Sequence, residues 1–301
     1  MPRKARCPLD KFVSDQAAGL RRLLGQGSGL QVITVMSGRK GAGKTAATAN
    51  LAAALARSGR DVLIVDQDRY GHGATGALGL VPMHDVSDVL AGRCTLDKLI
   101  LAGPDNVQVL PIGGGFNRLG RLSERDQDWL AQRFESLQWG VDVVLVDMED
   151  ATDPDALPLG LAATEILLVL PPGNDALTEC YALVKRLAMN FGKRQFRLLL
   201  NRVESAAQAQ AAARNFADTA SRYLGVSIDY LGAVPLDEKL DRASRLQTSV
   251  IEAFPVAQST SQFRKLAEGL LRWPRPSSLG GVGGFMQRVI QSGCLIEACR
   301  R

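Results

Sequence analysis

Ser37-Gly38-Arg39-Lys40-Gly41-Ala42-Gly43-Lys44-Thr45 stands between an apolar run, Leu30 to Met36, and an alanine-rich helical pattern, Ala46 to Leu55. Gly38, Gly43, Lys44 and Thr45 fit the spacing G-x-x-x-x-G-K-[ST]. In that motif backbone N–H groups wrap phosphate oxygens, a lysine neutralises them and a hydroxyl holds Mg²⁺. The motif needs a buried strand before it and a helix after it, whose N-terminal dipole and free N–H groups complete the anion site. Both patterns are present here, which disfavours the alternative of a glycine-rich surface turn. Gly38, Arg39, Lys40, Gly41, Ala42, Gly43, Lys44, Thr45 and Ala46 are therefore the candidate phosphate-binding residues.

Outward from this loop, apolar runs recur at Asp61 to Val65, Val143 to Val146, Ile166 to Leu170, Phe196 to Leu200 and Tyr230 to Val234. Helix-length segments such as Asp175 to Met189 and Ala206 to Tyr223 separate them. Short continuous apolar strands alternating with helices predict an α/β fold, a mostly parallel sheet with helices on both faces. Ligands in such sheets bind at the carboxyl ends of the strands. Asp66 and Asp68 follow the second run, Asp147 the third and Asn201 the fifth, so these polar groups converge on the edge that carries the loop. An aspartate after an apolar strand in a phosphate-loop protein is the expected partner of the Mg²⁺ shell, directly or through water, and Asp147 fits best. The alternative for Asp66 and Asp147 is a turn or capping acid. His72 and His84 are the two histidines, and surface roles are expected for both.

The 301 residues suit one large α/β domain or two small ones, and 46% apolar against 22% charged content is ordinary for a globular protein. A net charge of +5 permits weak attraction to anionic partners or reflects a solvated basic surface. Five scattered cysteines without a C-x-x-C pair argue against a disulfide framework or a cysteine-held metal. No apolar stretch approaches the ~18 residues that span a bilayer, and no apolar run follows the basic start. The expectation is a cytoplasmic protein.

Residues 1–28 form an expected arm, with Ala17, Leu20, Leu23 and Leu24 on one helical face; it either finds a partner or straps its own domain. Residues 29–273 form the domain. Trp273-Pro274-Arg275-Pro276-Ser277-Ser278-Leu279-Gly280-Gly281 opens a linker, and 274–301 ends in a segment where Val282, Phe285, Met286, Val289 and Ile290 share a helical face. That face predicts either a helix lying on membrane or one packed back on the domain.

These motifs resemble the MinD/ParA class of P-loop ATPases, and more narrowly its FlhG/FleN group of flagellar-number regulators. Asp15-Gln16-Ala17-Ala18-Gly19-Leu20-Arg21 is similar to that group's N-terminal D-Q-A-x-x-L-R element. Leu90 to Cys94, Leu177 to Lys185 and Val226 to Pro235 extend the likeness, which runs from about residue 15 to 272. The resemblance implies ATP and Mg²⁺ as cofactors, an ATP-dependent homodimer, peripheral membrane association through the tail, and an arm that stimulates an FlhF-like signal-recognition-type GTPase. It also implies contact with a flagellar transcription regulator or basal-body component. By position, Lys44 and Thr45 would bind phosphate and Mg²⁺, Asp66 would support the metal shell with Asp147, and Asp68 would orient the attacking water. Asn201, beside Arg202, would bind adenine, and Arg39 would stand where the family's signature lysine reaches the other subunit's phosphates.

Two departures predict ATP hydrolysis that is slow or absent. Arg39 and Lys40 replace a lysine and a glycine of the family's K-G-G-V-G-K-T. After Asp147 the chain has Met148-Glu149-Asp150-Ala151, so Ala151 replaces a glycine expected near the γ-phosphate. A nucleotide switch controlling flagellar assembly is the leading expectation; a nucleotide-binding scaffold without turnover and a DNA-partition ATPase are the alternatives, with nucleic acid disfavoured as a partner.

Overall fold

The computed structural model describes residues 29–68, 71–113, 123–136, 140–149, 151, 157–273 and 281–300. The arm over residues 1–28, its Ala17, Leu20, Leu23 and Leu24 face, and Asp150 lie outside them.

Among the described residues one eight-stranded sheet forms the centre. Its strands are β1 (Gln31–Met36), β2 (Val62–Asp66), β3 (Leu101–Ala102), β4 (Val107–Pro111), β5 (Val143–Asp147), β6 (Glu165–Leu170), β7 (Gln195–Val203) and β8 (Ser227–Pro235). They stand in the order β3-β4-β2-β5-β1-β6-β7-β8, all parallel except β3, which pairs antiparallel with β4. Strand β1 sits between β5 and β6 and is buried along its whole length. Its side chains alternate: Val32 and Met36 enter one core, Ile33 and Val35 the other. Burial on both faces is why the strands read as continuous apolar runs rather than as apolar–polar alternation.

Helix α1 (Lys44–Arg57) follows β1. Alanine is the best helix former and its small side chain lets the helix lie close to the sheet. Leu51 and Leu55, fully buried against that face, each contribute about 1.5–3 kcal/mol. The chain then forms α2 (Ala74–Ala77), α3 (Val86–Leu90), α4 (Glu124–Ser136), α5 (Leu157–Leu161), α6 (Asn174–Phe191) and α7 (Ala206–Leu224). Helices α8 (Glu238–Arg245), α9 (Val250–Ala253), α10 (Gln258–Leu271) and α11 (Gly281–Arg300) complete it. Gly192 and Gly225, at φ 66° and 62°, end α6 and α7 in the left-handed conformation that glycine adopts without strain. Helix α10 shares the α1 face, and α6, α7 and α11 cover the other.

The edge strand β3 and its neighbour β4 are not among the expected runs: β3 has two residues, and Val107-Gln108-Val109-Leu110-Pro111 is short and interrupted by a polar residue. In the tail, Val282, Phe285, Met286, Val289 and Ile290 do share one face, and α11 lays that face on α4 and α5, with Phe285 and Met286 fully buried. Of the two expected dispositions, this conformation has the packed helix, its apolar stripe covered by α4 and α5. No helix among the described residues is long and apolar enough to cross a membrane.

Candidate functional site

The loop from Ser37 to Gly43 climbs out of the end of β1 and turns into α1. Gly43 has φ 89°, a left-handed conformation, and a Cβ there would stand 2.0 Å from Asn201 Nδ2. At Gly38 a Cβ would meet the α6 backbone at Glu179 and Cys180, 2.5 Å away. Both glycines are fixed by close approach of a neighbouring element, one from β7 and one from α6.

Three features hold the loop open toward the carboxyl ends of the strands. Asn201, buried at the end of β7, donates from Nδ2 to the carbonyl of Ala42 at 2.9 Å and accepts from the Arg202 amide at 3.0 Å. Its carboxamide braces the loop in this conformation, with one amide hydrogen and one lone pair beyond these two bonds. Arg202, at φ 59°, lines the cleft. The Ser37 hydroxyl donates to the Arg39 carbonyl at 2.8 Å. The Arg39 side chain turns to α6, where Nε lies 3.5 Å from Glu179 Oε2, whereas Lys40 lines the cleft.

Lys44 donates from its ammonium to the carbonyls of Met148 and Glu149. Behind it stand the acids. Parallel register places Asp66 directly opposite Asp147 at the ends of β2 and β5, both almost wholly buried. Burial pushes the Asp147 carboxyl up to about 6; the nearby Lys44 charge and hydrogen bonds from the Thr45 hydroxyl and the Ala74 amide oppose this, and the Asp66 charge reinforces it. Burial also raises Asp66, against hydrogen bonds from Thr75 and the Asp68 amide. Two buried carboxylates side by side with a hydroxyl at their edge form a hard oxygen set with excess negative charge, which fits Mg²⁺. Among the described residues no cluster of three or more histidine, cysteine or acidic side chains could cage a metal. Mg²⁺ is normally held by one or two carboxylates together with substrate phosphates, so Thr45, Asp147 and Asp66 suffice for the protein's share.

Asp68 lines the cleft, and its Oδ2 accepts the His72 amide at 2.6 Å. The cleft has a volume near 520 Å³, within the range of small-ligand sites, and Lys40, Lys44, Asp68, His72, Glu149 and Arg202 are among the residues that line it. The sequence reading treated His72 as a surface residue; it is exposed, but at the mouth of this cleft. Also missed was Gly73, where a Cβ would be 2.2 Å from Asp66 Oδ1. The Gly71-His72-Gly73 spacing was the available signal. Ala151 is buried, and its carbonyl accepts from the Arg186 guanidinium of α6. Glu149 lines the cleft while its amide faces Gln67 Oε1 at 3.4 Å.

Residues 33–250 match the model of the CobQ/CobB/MinD/ParA nucleotide-binding domain. The antiactivator FleN of Pseudomonas aeruginosa is 33% identical over 263 residues, covering 87% of this chain and 94% of its own length. The cell division ATPase MinD of Pyrococcus furiosus superposes with a TM-score of 0.61 at 26% identity, covering 80% of this chain and 98% of its own. The fold is shared too with MinD of Pyrococcus horikoshii, solved in complex with Mg-ADP, with a TM-score of 0.62 at 24% identity and 84% and 98% coverage.

Proposed function

Because the chain belongs to the MinD/ParA family of nucleotide-binding domains, close to FleN, we propose that it is an ATP-dependent switch acting in flagellar number, placement and assembly. The observation that carries this reading is the convergence of Lys44, Thr45 and Asp147 on one cleft, with Asp66 paired to Asp147 on the neighbouring strand. Lys44 exchanges the Met148 and Glu149 carbonyls for phosphate oxygens. Thr45 and Asp147, with Asp66 behind them, hold Mg²⁺, which when bound neutralises charge on those oxygens. Asp68 orients the water that attacks the γ-phosphate. Arg202 stands at the nucleoside end.

Dimerisation follows ATP binding, with Arg39 or Lys40 reaching the second subunit. The arm over residues 1–28 docks an FlhF-like GTPase, and a flagellar transcription regulator or basal-body component receives the output. Membrane contact requires Phe285 and its neighbours to leave the domain, so it belongs to the dimer, where two tails act together and the second insertion is intramolecular. The nucleotide-binding scaffold with negligible turnover is favoured by one observation: Arg186 holds Ala151 toward α6. Fluorescent-ATP binding and phosphate release, measured for the wild type and Lys44→Ala, test the reading. The variant is expected to lose binding at least tenfold while remaining folded, since Lys44 packs no core and the two carbonyls it leaves belong to residues that line the cleft. Equal affinity in both proteins overturns the phosphate-loop assignment; binding without phosphate release selects the scaffold.

A further inference from the structure

We propose that Thr75 is a positioning residue for the divalent cation, fixing the orientation of the Asp66 carboxylate beside the metal shell; this rests on the nucleotide-site reading above. Thr75 is the second residue of α2 and is buried, with 3% of its surface exposed. Its hydroxyl donates to Asp66 Oδ2 at 2.5 Å and its amide donates to the same oxygen at 2.7 Å. The Asp68 amide donates to Oδ1 at 3.0 Å. A carboxylate has about four lone-pair sites, and these three donors leave one, on Oδ1. Gly73 packs against Oδ1 so closely that any side chain there would come within 2.2 Å of it. One amide earlier, Ala74 donates to Asp147. A single turn thus holds both facing acids.

The hydroxyl is the sequence-specific part. Any residue at 75 would supply the amide, but only serine or threonine adds a second donor to Oδ2. Without that donor Oδ2 keeps the Thr75 amide alone, and the carboxylate loses one of the three hydrogen bonds that fix its plane beside Asp147. Outer-shell hydrogen bonds of this kind are worth about 10–100-fold in metal affinity.

The test is the Mg²⁺ dependence of fluorescent-ATP binding in the full chain, for the wild type, Thr75→Val and Thr75→Ser. Valine keeps the volume and branching and removes the donor. Thr75→Val is expected to raise the Mg²⁺ midpoint about tenfold, to leave affinity in EDTA unchanged, and to be rescued by Thr75→Ser. An unmoved midpoint in Thr75→Val, with wild-type binding still dependent on Mg²⁺, overturns this proposal alone. A serine variant shifted as far as the valine one also overturns it, because methyl packing and not the donor would then be responsible. Wild-type binding indifferent to Mg²⁺ overturns the metal reading itself, and this proposal with it.

Discussion

Replacing Phe285 by alanine tests whether α11 is part of the folded domain or a tail waiting for lipid. Phe285 is fully buried among the apolar residues of the core that α4 and α5 share with the sheet. Truncating a fully buried phenylalanine costs about 3–5 kcal/mol when the surrounding structure stays in place. Helix α11 is terminal, however, and can leave instead. The loss in global stability is then capped at the docking free energy of α11, and anything beyond that appears as release. The two responses are distinguished by measuring urea unfolding together with limited proteolysis. We expect Phe285→Ala to lower stability by at least ~1.5 kcal/mol, about half the minimum full cost, and to make the chain cleavable ahead of α11 while the remainder resists. Gln287→Ala, on the exposed face of the same helix, should stay within about 0.5 kcal/mol of the wild type. A Phe285→Ala protein that matches the wild type in both stability and cleavage would refute the packed helix and restore the lipid-facing one.

In the absence of nucleotide and Mg²⁺, the raised Asp147 carboxyl should make the folded protein less stable as pH rises. The native state binds the proton up to about pH 6 whereas the unfolded chain releases it near pH 4, so the slope is negative between those values. The wild type minus Asp147→Asn difference should fall by up to ~3 kcal/mol from pH 4 to 7.5, read by chemical denaturation; a flat difference removes the buried-pair argument. Glu179→Ala should leave stability within ~1 kcal/mol, because exposed ion pairs contribute little, while freeing Arg39. In ultracentrifugation with a non-hydrolysable ATP analogue, Glu179→Ala should then dimerise at least as well as the wild type and Arg39→Ala should not. A dimer lost in Lys40→Ala but kept in Arg39→Ala gives the trans contact to Lys40.

What could be read along the chain was what depends on near neighbours. The phosphate loop, the buried strands and the acids at their ends all follow from spacing and apolar runs. Positions fixed by a distant contact were not legible. Asn201 stands where a base contact is expected, yet its carboxamide answers a carbonyl 159 positions away in sequence. Thr75 and Gly73 look like loop residues until Asp66 is seen against them. The tail's stripe was legible as apolar, but an amphipathic pattern is the same whether lipid or protein covers it, and only the surface of α4 and α5 decides.

The contacts around Lys44 show how occupancy of the cleft can be felt elsewhere. In this conformation the ammonium satisfies the carbonyls of Met148 and Glu149, the residues that directly follow Asp147 at the end of β5. A phosphate taken up by Lys44 leaves those carbonyls without their donor, so the segment after β5 must find new partners or move. Ala151, two residues farther on, is held by Arg186 of α6. The same helix meets the loop at its other end, through the tight approach of Gly38 to Glu179 and Cys180 and through the Arg39–Glu179 pair. Helix α6 therefore touches both the segment after β5 and the phosphate loop. The same helix contributes Leu177, Thr178 and Tyr181 to a groove completed by Asn215, Phe216 and Thr219 of α7. Under the nucleotide-site reading, an exchange of hydrogen-bond acceptor at Lys44 would reach that groove through the one helix that both segments contact.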